Sequence, residues 1–133
     1  LKFFEYIFLF TLGAIGYGAI ETSWRGYTHW TMLLTGGVCF LLVYIIANHS
    51  AFPFWQMCIA SMAVITAIEF VVGLIVNVTL GWNVWDYSDM RYHLMGQICP
   101  MFSFFWLLLS VPGIAFSRLL RKFIFLPSYK KAQ

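Results

Sequence analysis

Glu69 interrupts an apolar stretch, and with Gly73 and Asn77 it falls at i, i+4 and i+8, so the three share one face of a helix. A carboxylate and an amide separated by a glycine can line a small polar cleft for an ion, a proton or a ligand. The same groups can instead hydrogen-bond to neighbouring helices and hold them together. Glu21, Arg25 and His29 repeat the spacing. If that stretch is helical, Glu21 and Arg25 pair their charges, the usual way such groups are tolerated near lipid. The two glutamates suit a cation or a proton. The Arg25 guanidinium suits a carboxylate or phosphate, which it can hold bidentately. A third group lies in the segment from Gly81 to Asp89, where Trp82, Trp85, Asp86 and Tyr87 stand close together. That segment reads as a lid folded over the bundle or as a solvated loop with tryptophan anchors. Its Asp86-Tyr87-Ser88 step suits a tight turn or helix start, with Asp and Ser capping backbone N–H groups. The candidate ligand-binding residues are therefore Glu21, Arg25, His29, Glu69, Asn77, Trp82, Trp85, Asp86 and Tyr87.

Other chemistries find little support. Glu21, His29, Glu69, Asp86 and His93 include metal-ligating types, but no Glu-x-x-His or His-Glu-x-x-His spacing joins them. No Gly-x-Ser-x-Gly is present for a nucleophilic serine. Cys39, Cys58 and Cys99 are odd in number, show no Cys-x-x-Cys and lie in apolar stretches, so they are expected to be small buried hydrophobes. No catalytic residue, metal or cofactor is expected.

Elements that could position these residues follow from composition. Of 133 residues, 62% are apolar, 20% aromatic and only 10% charged, against about a quarter charged in a soluble domain. That balance excludes a disordered chain and a soluble globular domain and leaves an integral membrane protein. At about 20 residues per span, four helices fit the length. Charge-free runs and the turn-forming Asn48–Pro53 place them at about 3–22, 30–47, 54–78 and 95–116. Pro112 is expected to kink or end the last of them. Strands are a poor reading, because the runs are apolar on every face rather than alternating. The expected fold is thus all-α, a polytopic four-transmembrane-helix bundle over 1–117. A basic amphipathic tail, 118–133, is expected to lie along the membrane surface.

The net charge of +3 is concentrated in that tail and gives no reason to expect nucleic acid as a partner. Lys2 and the five basic residues from Arg118 onward fall on one side of the membrane, with only Arg25 and Arg91 on the other. By the excess of Lys and Arg in cytoplasmic segments, both termini are expected in the cytoplasm, in a multi-pass protein of the cell membrane. Trp24, Trp30, Trp82 and Trp85 then form an aromatic belt at the outer interface. Ala19-Ile20-Glu21 is faintly echoed by Ala67-Ile68-Glu69.

The stretches from Ile20 to Met32, Gly36-Gly37, Glu69 to Gly73, Asn77, Leu80 to Ser88 and Gly96 to Cys99 together resemble the CmpB-like family of small bacterial membrane proteins, whose name casts them as type IV ABC-transporter permeases. The Trp85-Asp86-Tyr87-Ser88 stretch is the most distinctive. The family pattern carries a Pro and an Asn before the Gly-Gln; here Met90-Arg91-Tyr92-His93 stands instead. The resemblance implies transport and an ABC ATPase subunit as partner. Membrane lipid is a second partner. A homo-oligomer is a third, because four short helices enclose little space. The leading reading is a small permease-like transport protein or transporter subunit with a polar site in the outer half of the bundle. Two others stay open: a membrane-embedded enzyme acting on a lipid or polyprenyl head group, with His29 and Asp86 as acid and base, and a non-catalytic assembly or regulatory protein.

Overall fold

A computed structural model describes residues 2–132; Leu1 and Gln133, the outermost residues of the expected bundle and tail, lie outside them. The described chain forms α1 (Lys2–Arg25), α2 (Trp30–His49), α3 (Phe54–Gly73), α4 (Pro100–Leu120) and a short α5 (Leu126–Ala132). A π-helical segment, Leu74–Thr79, extends α3, and a π-helical turn, Arg121–Phe125, joins α4 to α5. Four of the resulting rods are long and apolar enough to cross a membrane. The chain is thus the all-α, four-transmembrane-helix bundle that its composition implies. Helices suit this sequence because each satisfies its own backbone N–H and C=O groups, as lipid requires.

The boundaries have local causes. α1 stops at Arg25 because Gly26 takes φ +83° and its N–H closes on the Thr22 carbonyl at 2.8 Å. The stripe of Glu21, Arg25 and His29 is therefore broken. His29 belongs to the next helix, where its extended backbone and Nδ1, accepting the Thr31 N–H at 3.2 Å, cap the start of α2. α4 begins at Pro100 rather than near 95. Met95 and Gly96 have φ +55° and +72°, which no helix accommodates, and Pro100 supplies the preset φ and missing N–H that suit a first helical position. Pro112 does not end α4, which runs through it to Leu120.

Glycines set how the helices meet. A Cβ on Gly36 would lie 2.5 Å from the Tyr17 Cβ, and one on Gly37 would lie 2.8 Å from the Phe10 carbonyl oxygen. α1 and α2 thus approach almost backbone to backbone, as small residues allow in membranes. α2 also packs on α3 and α4, and α3 on α4. α1 faces α4 across a groove bridged by aromatic pairs, Tyr17 with Trp106 and Trp24 with Phe105. The polar segment between α3 and α4 folds onto one pole of the bundle, burying Val84 and Trp85 against Met32 and Val76. The described ends of the chain meet at the opposite pole. There Phe125 and Tyr129 turn inward onto Leu9 and Tyr44, while Phe123 and Ile124 stay exposed.

Gly37→Ala is expected to lower stability by roughly 1–3 kcal/mol, because the new methyl group meets backbone that cannot move aside. Gly16→Ala, which meets nothing within 4 Å, is expected to leave stability unchanged or slightly higher. Thermal unfolding of both variants in detergent checks this, and equal midpoints would contradict the close contact.

Candidate functional site

All three glutamates are buried in the bundle: Glu5 and Glu69 are 4% exposed and Glu21 is 7% exposed. Each accepts at least one tyrosine hydroxyl. At the pole of the chain ends, Glu5 accepts from Tyr44 and Tyr129, and Arg121 Nη1 stands 3.5 Å from its Oε1. At the loop pole, Glu21 accepts from Tyr17 at 3.0 Å and Thr28 at 2.7 Å, with Arg25 Nη2 at 3.7 Å. That last distance is a charge contact, too long for a hydrogen bond. Glu69 accepts from the Tyr87 hydroxyl at 3.1 Å and the Trp106 indole N–H at 3.4 Å. Among the described residues, no Lys, Arg or His nitrogen stands within 4.0 Å of it. Two buried carboxylates thus have an arginine and the third has none.

Two adjoining cavities open beside this third carboxylate. One, of about 380 Å³, lies between the helices and is lined by Glu69, Thr35, Cys39 and Ser110 among mostly apolar walls. The other, of about 610 Å³, lies toward the loop pole and holds Glu21, Arg25, Trp85 and Tyr87. Tyr17, Ile20, Met32, Trp106 and Leu109 line both, so the two run together along the groove between α1 and α4. Arg25 sits at the upper end. Its Nη1 donates to the Val84 carbonyl at 3.1 Å, and its guanidinium lies 4.4 Å over the Tyr27 ring. Its Nε and Nη2 are buried without a hydrogen-bond partner.

The loop that covers this end is tied down by Asn77 and Gln97. Asn77 Oδ1 accepts the Val84 N–H at 2.6 Å, and its amide donates to Gln97 Oε1 at 2.8 Å. The Trp85 indole donates to the Gln97 carbonyl at 3.0 Å. Gly73 makes room for this, since a Cβ there would lie 2.5 Å from Gln97 Oε1. The shared face of Glu69, Gly73 and Asn77 is therefore filled by loop residues at its upper end and open to the cavity only at Glu69. Burial, with the Glu69 carboxylate adding to it, pushes the Tyr87 phenol well above its usual range, so Tyr87 is a hydrogen-bond donor to that carboxylate.

The remaining candidates lie elsewhere. His29 stacks on Trp30 and both rings pack at a tilt against Trp82 at the loop pole, with ring centroids 5.6–6.0 Å apart, and His29 and Trp82 line neither cavity. Asp86 is exposed and accepts the Ser88 N–H at 2.9 Å and the Ser88 hydroxyl. Those two bonds hold its carboxyl below the usual carboxylate range. Gly96, with φ +72°, packs beside it, where a Cβ would stand 2.9 Å from Asp86 Oδ1. His29 and Asp86 thus each cap local backbone. Among the described residues, no three His, Cys, Asp or Glu side chains gather as a metal would need.

Sequence reasoning missed Tyr17, Trp106, the role of Gln97, and the cluster around Glu5. Tyr17 had a signal, since it precedes Glu21 by one helical turn. Trp106 had none, because only the folding of α4 against α3 brings it to Glu69.

A protein-family model described as "Putative ABC-transporter type IV" matches residues 8–130. The chain belongs to this family. The match spans all four membrane helices and both cavities, so a multi-pass membrane protein of the ABC-transporter-related kind is what the family and the fold together give. No curated relative and no solved structure matches the chain.

Asn77→Ala is expected to loosen the loop, because two backbone N–H groups and Gln97 lose their partner, at a cost of roughly 1–3 kcal/mol. Hydrogen–deuterium exchange should then speed up across residues 80–90 and stay unchanged in α1 and α2. Unaltered exchange in the loop would show that Asn77 does not hold it.

Proposed function

We propose that this chain is a small permease-like transport protein or transporter subunit, with its polar site in the half of the bundle nearer the loop pole. The observation that carries this reading is the pair of adjoining cavities between α1 and α4, which share five lining residues and hold Glu69 in one and Glu21 and Arg25 in the other. Ionisable groups at such depth mark substrate or ion pathways, and Glu69, with no Lys, Arg or His partner among the described residues, faces the cavity. Trp85 and Tyr87 wall the second cavity, and Asn77 holds the loop that roofs it. His29, Trp82 and Asp86 lie outside both cavities and take no part in this reading.

The basic residues at the pole of the chain ends support a cytoplasmic location for both termini, which puts the Glu21 and Arg25 end outside. Membrane lipid and a second copy of the chain are the partners this reading calls for. An ATPase partner rests on the family description alone, since residues 50–53 between α2 and α3 leave no room for a coupling helix.

Native mass spectrometry from mild detergent tests the site. Wild type should retain a small-molecule adduct, and its occupancy should fall about tenfold or more in Glu69→Gln and Arg25→Ala. Equal occupancy in all three at equal yield of folded protein would sink the reading. Topology has its own check. A cysteine placed at Asp89 should react with a membrane-impermeant maleimide in intact cells, and one placed at Lys130 should not; the reverse pattern would invert the orientation.

A further inference from the structure

The three buried glutamates differ in what balances them. Glu5 has Arg121 and Glu21 has Arg25, whereas Glu69 faces open volume where the others have a guanidinium. An ionised carboxylate taken out of water without a counter-charge is costly, so either a proton or a cation must complete it. The groups that face Glu69 are Tyr17 on α1, Cys39 on α2, Tyr87 on the loop, and Trp106 and Ser110 on α4. None of them can carry a positive charge.

The surroundings decide which cation fits. A hard metal ion needs six or more oxygen ligands, but the two side chains touching Glu69 are engaged with it as donors, a phenol O–H and an indole N–H. An anion would meet the Glu69 carboxylate, and Arg25, although its Nε and Nη2 have no hydrogen-bond partner, already has its charge balanced by Glu21 at 3.7 Å. The walls are aromatic. Tyr17 and Trp106 lie with ring centroids 6.0 Å apart, Tyr87 stacks on Phe102 at 4.6 Å, and Phe102 meets Phe105 edge-on. Aromatic faces attract cations, most strongly where water is excluded. The two volumes, about 380 and 610 Å³, are those of pockets for drug-sized ligands. The rim along Ile20, Leu109 and Phe116 is exposed on the flank that lies in the bilayer, so an apolar ligand can enter sideways from lipid.

We propose that the groove between α1 and α4 binds a lipophilic organic cation that enters from the bilayer, with Glu69 as its counter-ion and Tyr17, Tyr87 and Trp106 as its aromatic walls. This rests on the transport reading above and names its substrate class. Proton and cation then compete for one carboxylate, so loading the cation releases a proton and binding weakens as the pH falls.

Tetraphenylphosphonium and tetraphenylborate match in shape and differ in charge, which makes them the probes for titration calorimetry on the purified full chain in a maltoside detergent. Wild type should bind the phosphonium about tenfold or more tighter than the borate, with affinity dropping at lower pH. Glu69→Gln should abolish that preference, and Asp89→Asn, which removes an exposed charge, should keep it. Equal binding of the two ions, no phosphonium binding, or full affinity in Glu69→Gln would each overturn the proposal. If Glu69→Gln fails to fold, the two ions on wild type still decide. An adduct lost in Glu69→Gln and Arg25→Ala from a protein indifferent to phosphonium overturns the cation class alone. Glu69-dependent phosphonium binding in proteoliposomes that never accumulate it overturns transport alone.

Discussion

A carboxylate at membrane depth must be balanced, and the way this chain balances three of them organises the molecule. Two are neutralised within the protein. Glu5 gathers Tyr44, Arg121 and Tyr129, and so draws α1, α2 and the C-terminal helical segment together at one pole. Glu21 gathers Tyr17, Thr28 and Arg25 and closes the other end of α1. In each the carboxylate is completed by hydroxyl donors, while Arg25 keeps its Nε and Nη2 without a hydrogen-bond partner. Glu69 sits between the two poles with donors but no cation among the described residues, and the cavities open beside it.

The rest of the fold keeps that asymmetry in place. Glycines 36 and 37 let α1 lie almost against α2, which holds Tyr17 at the cavity wall while leaving α1 and α4 apart. Gly73 admits Gln97 and Trp85 under the loop, and Asn77 locks the loop through two of its amides, so the roof of the groove is fixed to the same face that carries Glu69. The aromatic belt expected from the sequence divides in two. Trp24, Trp30 and Trp82 stay exposed toward the loop pole, whereas Trp85 is buried as the loop's anchor.

The bundle was legible because hydropathy and charge-free runs act locally along a helix: the four spans, the break at Asn48–Pro53 and the polar segment from Gly81 to Asp89 need no tertiary information. Glu69 as the residue out of place was legible for the same reason, and so was the pairing of Glu21 with Arg25. The continuation to His29 was not, since it hinges on a single glycine taking positive φ. Nor was the start of α4, where positive φ at Met95 and Gly96 overrides apolar composition. The role of Glu5 was not legible, because its partners, Tyr44, Arg121 and Tyr129, are distant in sequence. Trp106 was hidden for that reason also. What the sequence could not carry is which polar groups end up paired with each other and which face a void.

Among the described residues, Glu69 is the buried carboxylate without a counter-charge of its own. That claim is tested most directly by comparing the thermal stability of Glu5→Gln, Glu21→Gln and Glu69→Gln in the same detergent. Removing one partner of a buried ion pair strands the other charge, so Glu5→Gln and Glu21→Gln should unfold at clearly lower temperature than wild type. Glu69→Gln strands nothing and should unfold at the wild-type temperature or above it. A loss of stability in Glu69→Gln as large as in the other two would contradict the claim.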